Sequence, residues 1–88
     1  MTFRIETAVR GGFTVFLLSG RIETEVIAEL RKLFELLQPD YSRIILDLKD
    51  VGVVDRNVVS FLERCEEDGM KLENCAPYIR EWMEREKD

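Results

Sequence analysis

Three consecutive polar residues, Asp55, Arg56 and Asn57, are the ones whose types and spacing best suit chemistry. They follow an apolar stretch and precede Val58, near which a helical pattern begins. Asp and Asn are favoured at helix N-caps, because their side-chain oxygens accept hydrogen bonds from free backbone N–H groups. An arginine beside such groups can bind an anion, although a lone arginine is more often solvated or salt-bridged. Capping is therefore the simpler interpretation, and anion binding the second.

Asp47 is the other carboxylate of interest, because it interrupts the apolar run Ile44 to Leu48. If that run is a central strand, Asp47 and Asp55 could approach each other at the end of the sheet, where open α/β sheets present their sites. Spacing alone assigns no reaction to the pair. A solvated or salt-bridged Asp47 is the simpler expectation.

The chain lacks the residues of most catalytic and metal sites. It contains no histidine, so histidine-based triads and histidine-containing zinc sites are excluded, and Ser19, Ser42 and Ser60 have no histidine partner. The only cysteines, Cys65 and Cys75, are not spaced as a C-x-x-C pair, and we expect both to be reduced and packed. We expect no enzymatic activity, no metal and no cofactor.

Length and charge limit the function further. The 88 residues are enough for one domain, expected to span residues 1–88, but too few to enclose a deep substrate cavity. The formal net charge of -5 disfavours nucleic acid and anionic membrane as partners, because there is no surplus of positive charge to neutralise phosphates. No apolar run reaches membrane-spanning length and no signal peptide precedes Phe3, so the expected location is cytoplasmic.

The spacing of apolar residues predicts the elements that must position the polar stretch. Phe3 to Arg10 alternates as a half-buried strand does, Gly11-Gly12 suits a tight turn, and Phe13 to Leu18 completes a predicted hairpin. A helix is predicted from Thr24, as N-cap, until Pro39 ends it.

The second half of the chain alternates strand and helix patterns. Ile44 to Leu48 predicts the central strand, and a second helix is expected from about Asn57 to Asp68, ended by Gly69. Met70 to Glu73 predicts a short strand, and Pro77 opens a third helix. The order β-β-α-β-α-β-α predicts an α/β fold: a small mixed four-stranded sheet, mainly parallel with an N-terminal antiparallel hairpin, and helices packed on the sheet.

One face of this sheet is a candidate interface. If right-handed crossovers place all three helices on one side, we expect the other side to present Phe16, Leu18 and Ile45 within a charged rim. An apolar centre with a charged rim is typical of a docking surface, so the face could serve self-association, as a homodimer, or a protein partner. The alternative is that a helix or loop covers it.

Several short motifs together resemble the STAS domain, the fold of bacterial anti-sigma-factor antagonists. They are Leu18-Ser19-Gly20-Arg21-Ile22, the strand Leu46-Asp47-Leu48, the run Asp50-Val51-Gly52-Val53-Val54-Asp55, and Leu72-Glu73-Asn74-Cys75. Their order and spacing cover nearly the whole chain. The resemblance implies a regulatory protein-binding module that docks an anti-sigma factor or related serine kinase and is released on phosphorylation, a mechanism called partner switching.

The family's helix-opening loop reads Asp-Ser-Ser-Gly, and its second serine accepts the phosphate. Asp55 matches that pattern, whereas Arg56, Asn57 and Val58 stand in place of the two serines and the glycine. Asn57 has no hydroxyl to phosphorylate. The resemblance thus predicts a partner-binding loop composed of Val53, Val54, Asp55, Arg56, Asn57 and Val58, without the usual phosphoacceptor.

An alternative function is a small-ligand or nucleotide-responsive module, in which this loop and the helix N-terminus hold an anion. The loop lacks the glycine-rich pattern of a P-loop. Ser60, one helical turn after Asn57, could substitute as a phosphorylation site only if the first helical turn opens, because a position inside a helix makes a poor kinase substrate. A structural or solvated Ser60 is the simpler expectation.

Overall fold

The chain forms four strands and three helices, described over residues 3–86 in a computed structural model. In order they are β1 (Phe3–Arg10), β2 (Phe13–Ile22), α1 (Thr24–Leu37), β3 (Ile44–Val54), α2 (Arg56–Glu67), β4 (Lys71–Glu73) and α3 (Pro77–Glu86), with one 3-10 turn at Tyr41–Arg43. This confirms the predicted β-β-α-β-α-β-α order.

The strands form one sheet in the order β1-β2-β3-β4. β1 is antiparallel to β2, and the other two pairs are parallel. Gly11 and Gly12 make the hairpin turn with φ angles of 57° and 84°, and positive φ at both central residues is what the tight turn of a two-residue hairpin requires. The predicted mixed sheet with an antiparallel hairpin is confirmed.

The two central strands are longer than the sequence predicted. β2 extends to Ile22 and β3 to Val54, rather than ending at Leu18 and Leu48, and the added part pairs in parallel through two register shifts. The added residues mix glycine and charged residues with apolar ones and do not alternate regularly, so the sequence pattern did not indicate that the strands continue. As a consequence, β3 leads directly to Asp55 with no intervening loop.

All three helices pack on one face of the sheet and enclose the core. The Phe16 and Phe34 rings meet edge to face, with centroids 5.1 Å apart, an arrangement that aromatic pairs favour. None of the helices described is long and apolar enough to cross a membrane. The most deeply buried core residues are Phe16, Leu18, Ile22, Val26, Leu30, Phe34, Ile44, Leu46, Leu48, Val58, Val59, Leu62, Ile79 and Met83.

The predicted exposure of Phe16 and Leu18 is therefore wrong. In the parallel pairing of β2 with β3, Phe16 lies beside Leu46, and paired residues point to the same side of a sheet, so both face the helices. The sequence could not show this, because β2 has apolar residues on both of its faces and only the register with β3 decides which set meets the helices. Ile45 does lie on the opposite side, as predicted.

We call that opposite side the helix-free face. Val15 and Ile45 lie at its centre and are nevertheless buried, because side chains from the two edge strands extend over it. Two contacts cross the face: Arg10 Nη2 lies 3.0 Å from Glu73 Oε1, and Lys71 Nζ lies 6.0 Å from the centroid of the Phe13 ring. The apolar centre predicted for this face is thus largely closed off by the chain itself.

Candidate partner-binding site at the start of helix α2

Asp55 connects the end of β3 to the start of α2. Its backbone is extended, and its Oδ1 accepts a hydrogen bond from the N–H of Val58 at 3.0 Å. This bond satisfies one of the free donors at the first turn of α2. Asp55 is therefore the N-cap of α2, which confirms the capping interpretation for this residue.

The second carboxylate oxygen of Asp55 holds the start of α1. Oδ2 accepts from the backbone N–H of Thr24 at 2.8 Å and from the Thr24 hydroxyl at 2.6 Å. The N-cap position of α1 is Glu23, whose side chain makes no capping bond. The prediction that Thr24 is the N-cap was wrong: Thr24 is the first helical residue, and a carboxylate 31 positions away accepts its free N–H.

Asn57 completes the contact between the two helices. Its Nδ2 donates to the Thr24 hydroxyl oxygen at 3.1 Å, while that hydroxyl donates to Asp55. Asn57 therefore does not cap α2, contrary to one of the two interpretations of its sequence position. We call Asp55, Thr24 and Asn57 the polar junction. It fixes the relative positions of the two helix starts.

The environment of Asp55 lowers the pKa of its carboxyl group. Burial alone would raise the pKa, but the donors outweigh it: the Thr24 hydroxyl, the N–H groups of Val58 and Thr24, and the N–H of Asn57. Hydrogen bonds to a carboxylate favour its charged form. Asp55 is thus an anion at neutral pH and acts as an acceptor only, not as a general acid.

Arg56 lies on the surface next to the junction and is salt-bridged. Its Nε lies 3.3 Å from Oε1 of Glu86, at the end of α3. The arginine is therefore partnered within the chain, which is the simpler of the two expectations for it. This contact weakens the idea that Arg56 holds an anion.

The six residues of the predicted loop divide between surface and core. Val53, 41% exposed, and Arg56 and Asn57 face solvent, whereas Val54 and Val58 are buried. Val54 is the last residue of β3 and Val58 belongs to the first turn of α2, so the predicted loop is in fact a strand end joined to a helix start. Only its outward side chains are available to a partner.

A groove between α1 and α2 adjoins Asn57 and was not identified from the sequence. It is an open depression of about 210 Å³, lined by Ile27, Arg31, Asn57, Ser60, Phe61 and Arg64. The Arg31 guanidinium carbon lies 5.3 Å from the centroid of the Phe61 ring, a cation–π distance that holds the arginine at the rim. The groove depends on how α1 and α2 pack against each other, and no local sequence pattern predicts that packing.

Asp47 lies away from this site. Its Oδ1 accepts from the Lys49 N–H and from Asn74 Nδ2, both at 3.0 Å, which ties β3 to the segment after β4. Because β3 is continuous, Asp47 and Asp55 are roughly 25 Å apart at about 3.3 Å per residue. The structure does not bring the two carboxylates together as an acid/base pair.

The two cysteines are not activated nucleophiles. Burial raises the pKa of Cys65 to about 12, and burial also raises the pKa of Cys75. A thiol with a raised pKa is protonated at neutral pH and reacts poorly. Both are free thiols, as expected. Within residues 3–86, no group of three or more Cys, Asp or Glu side chains is arranged to hold a metal ion.

Comparison with known proteins identifies the fold. No family model and no curated protein matches the sequence. Among solved structures, the chain is similar to the crystal structure of an antisigma-factor antagonist, a STAS domain from Rhodobacter sphaeroides. The TM-score is 0.61 at 10% sequence identity, over 83% of this chain and 87% of that chain. At this low identity the likeness is one of fold, and the sheet order and helix placement given above agree with it. The chain has the STAS fold.

Proposed function

We propose that residues 1–88 act as one STAS-like regulatory domain that binds a protein partner and has no catalytic role. The observation that carries the proposal is the similarity of fold to an antisigma-factor antagonist over 83% of the chain. The partner class we propose is an anti-sigma factor or a related serine kinase in the cytoplasm. The absence of a histidine and the raised pKa of both thiols support a binding role over a catalytic one.

The docking surface we propose is centred on the start of α2. Val53, Arg56 and Asn57 supply its exposed side chains, and Ser60 extends it into the groove between α1 and α2. Val54, Asp55 and Val58 belong to the proposed loop as supports, because they are packed or hydrogen-bonded beneath it. A surface whose backbone is fixed by the polar junction loses little entropy on binding, which favours affinity.

The proposed domain differs from the family pattern in how release of the partner would be controlled. Asn57 stands where the resemblance places the phosphoacceptor serine, and its amide donates to Thr24. A phosphoserine there would add up to about two negative charges at a helix N-terminus, whereas the asparagine is neutral at every pH. We therefore propose that phosphorylation at this position does not release the partner.

Affinity capture from the native cytosol, followed by mass spectrometry, tests this proposal. Val53→Arg and Ser60→Arg place long charged side chains on the proposed surface without disturbing the core, since both positions are exposed. Leu36→Arg is the matched control: Leu36 is 73% exposed near the far end of α1, about 18 Å along the helix from Thr24.

We expect the wild type and Leu36→Arg to capture an ATPase-like kinase or a sigma-regulatory protein, and both surface variants to lose it. Capture of such a protein by all four chains would contradict the proposed surface. Its capture by none of them would contradict the proposed function.

A second candidate function, binding of a small anionic ligand or nucleotide, is favoured by one observation. Arg31 and Arg64 both line the groove beside Asn57, and neither forms an ion pair within residues 3–86. Titration of the isotope-labelled chain with ATP or inorganic phosphate should then shift the NMR signals of Asn57 and Ser60. Unchanged signals at both residues would contradict binding of ATP or phosphate in this groove.

A further inference from the structure

We propose that β1 pairs antiparallel with β1 of a second copy of this chain, so that the two mixed sheets join into one eight-stranded sheet. This contact lies at the edge of the sheet, not at the start of α2, and is independent of the proposed function. Three features within residues 3–86 favour it: the difference between the two sheet edges, the exposed apolar residues beside β1, and the charge pattern along β1.

The two edges of the sheet differ in how well they are protected. At one edge, β4 is only three residues long and carries Lys71, and both short length and lysine discourage pairing with another strand. At the other edge, β1 is eight residues long, pairs with β2 without a bulge, and contains no lysine or proline. A long, regular edge strand of this kind is a template for a further strand.

Apolar side chains are exposed beside the unprotected edge. Val9, on the helix side of β1, is 80% exposed, and Leu37, at the end of α1, is 50% exposed. Together with Thr7, Ala8 and Thr14 they line an open depression of about 210 Å³. A strand added at this edge would cover part of that apolar surface.

The outer side of β1 offers the backbone groups that such pairing needs. Arg10 and Phe13 flank the two-residue turn, and their backbone N–H and C=O groups bond to each other. Counted back from Arg10, every second residue of β1 therefore bonds to β2 through its backbone. The N–H and C=O groups of Ile5, Thr7 and Val9 therefore point away from β2. No other strand within residues 3–86 pairs with them.

The charges of β1, together with the exposure of Val9, favour one alignment of two copies. With the two-fold axis at Ala8, Glu6 of each copy lies opposite Arg10 of the other, and Thr7 lies opposite Val9. An axis at Glu6 would place two glutamates opposite each other, and an axis at Thr7 would place Arg4 opposite Arg10; like charges directly opposite are unfavourable. An axis at Ile5 matches Arg4 with Glu6 but leaves Val9 outside the pairing.

The existing ion pairs do not prevent this alignment. Glu6 pairs with Arg4, and Arg10 with Glu73, each at 3.0 Å; three of these side chains are more than half exposed, and that of Glu73 is 37% exposed. Exposed ion pairs contribute little and exchange readily. The axis at Ala8 is therefore the alignment that combines opposite charges, free backbone groups and burial of Val9.

Sedimentation equilibrium with charge variants tests the proposal. The wild-type mass should rise from 10.3 kDa towards twice that value as the concentration is increased to about 1 mM, a range suited to a small interface. Glu6→Arg alone and Arg10→Glu alone each place like charges opposite each other, so each should stay monomeric. An equimolar mixture of these two variants restores both opposite-charge pairs and should form a heterodimer.

Two controls complete the test. Glu67→Arg makes the same charge change on the exposed surface of α2 and should dimerise like the wild type, and far-UV circular dichroism should show that every variant is folded. In the dimer, the amides of Thr7 and Val9 should exchange their hydrogen more slowly as the concentration rises. A wild type that stays monomeric at every concentration, or a mixture that forms no heterodimer, would overturn the proposal.

Discussion

The carboxylate of Asp55 accepts two hydrogen bonds from Thr24, at 2.8 Å from the backbone N–H and 2.6 Å from the hydroxyl. The first residue of α1 is thereby held against the residue that caps α2. The starts of α1 and α2 thus share the Asp55 carboxylate as an acceptor, although Thr24 and Asp55 are 31 positions apart in sequence. This relationship fixes the surface that we propose for partner binding, and it can be tested by stability measurements.

Replacing Asp55 by alanine should destabilise the fold. The variant loses the N-cap of α2, which contributes about 1 kcal/mol, and the bonds to Thr24, which contribute about 1 kcal/mol more. We expect the free energy of unfolding in urea to fall by about 2 kcal/mol. Asp50→Ala, which removes an exposed carboxylate from the preceding strand, should change it by less than about 0.5 kcal/mol.

A double-mutant cycle separates the two contributions of Asp55. Thr24→Val removes the hydroxyl donor but keeps the backbone N–H of residue 24, so combining it with Asp55→Ala isolates the bond between the hydroxyl and the carboxylate. The combined loss should be smaller than the sum by about 0.5 to 1 kcal/mol. Strictly additive losses would show that the Thr24 hydroxyl does not bond to Asp55 in solution.

Stability should depend on pH through Asp55. Its pKa is lowered from the usual 3.8 in the folded chain, so the folded state is stabilised fully above the unfolded value and progressively less as the pH falls through the folded value. The difference in unfolding free energy between the wild type and Asp55→Asn should therefore shrink between pH 7 and pH 2. Comparing the two chains cancels the contribution of Asp40, whose pKa is also lowered, mainly by its hydrogen bond from Ser42. A difference that stays constant over this range would contradict the hydrogen bonding assigned to Asp55.

Neighbouring residues of β2 should respond very differently to truncation. Phe16 is fully buried against α1, so Phe16→Ala should lower the free energy of unfolding by about 3 to 5 kcal/mol. Leu17 points to the helix-free face and is exposed, so Leu17→Ala should cost less than about 1 kcal/mol. Chemical denaturation of the two variants measures both values, and similar losses would mean that the faces of β2 are assigned wrongly.

The cysteines should react slowly with thiol reagents while the chain is folded. Cys65 is buried and its pKa is raised to about 12, so its modification at pH 8 should require unfolding. Cys75 is only partly buried and should react first. A spectroscopic thiol assay with and without urea follows both reactions; rapid modification of both thiols in buffer alone would disprove the packing described for Cys65.

Features decided by local sequence could be predicted. Gly11 and Gly12 identified the hairpin, and Gly69 identified the end of α2, where it has a φ of 109° and its N–H donates to Glu66. The next N–H, of Met70, donates to Cys65, which completes the two bonds of a Schellman motif. Such turns and caps depend on the conformational preferences of single residues, and these are visible in the sequence.

Features decided by contacts between distant elements could not be predicted. That Asp55 would accept from Thr24 could not be predicted, because capping its own helix already explains an aspartate at this position. The exposure of Phe16 and Leu18 was predicted wrongly, since the register of β2 against β3 is a tertiary property. The assignment of Val53 to Val58 as a partner-binding loop remains a prediction.

The most direct test of the central claim is to locate the partner on the chain. The captured partner would be added to the isotope-labelled chain, and the shifts of its backbone amide NMR signals would be mapped by residue. We expect the largest shifts at residues 53–60 and around the groove at Arg31 and Arg64. Shifts confined to β1 or to the helix-free face, with residues 53–60 unchanged, would contradict it.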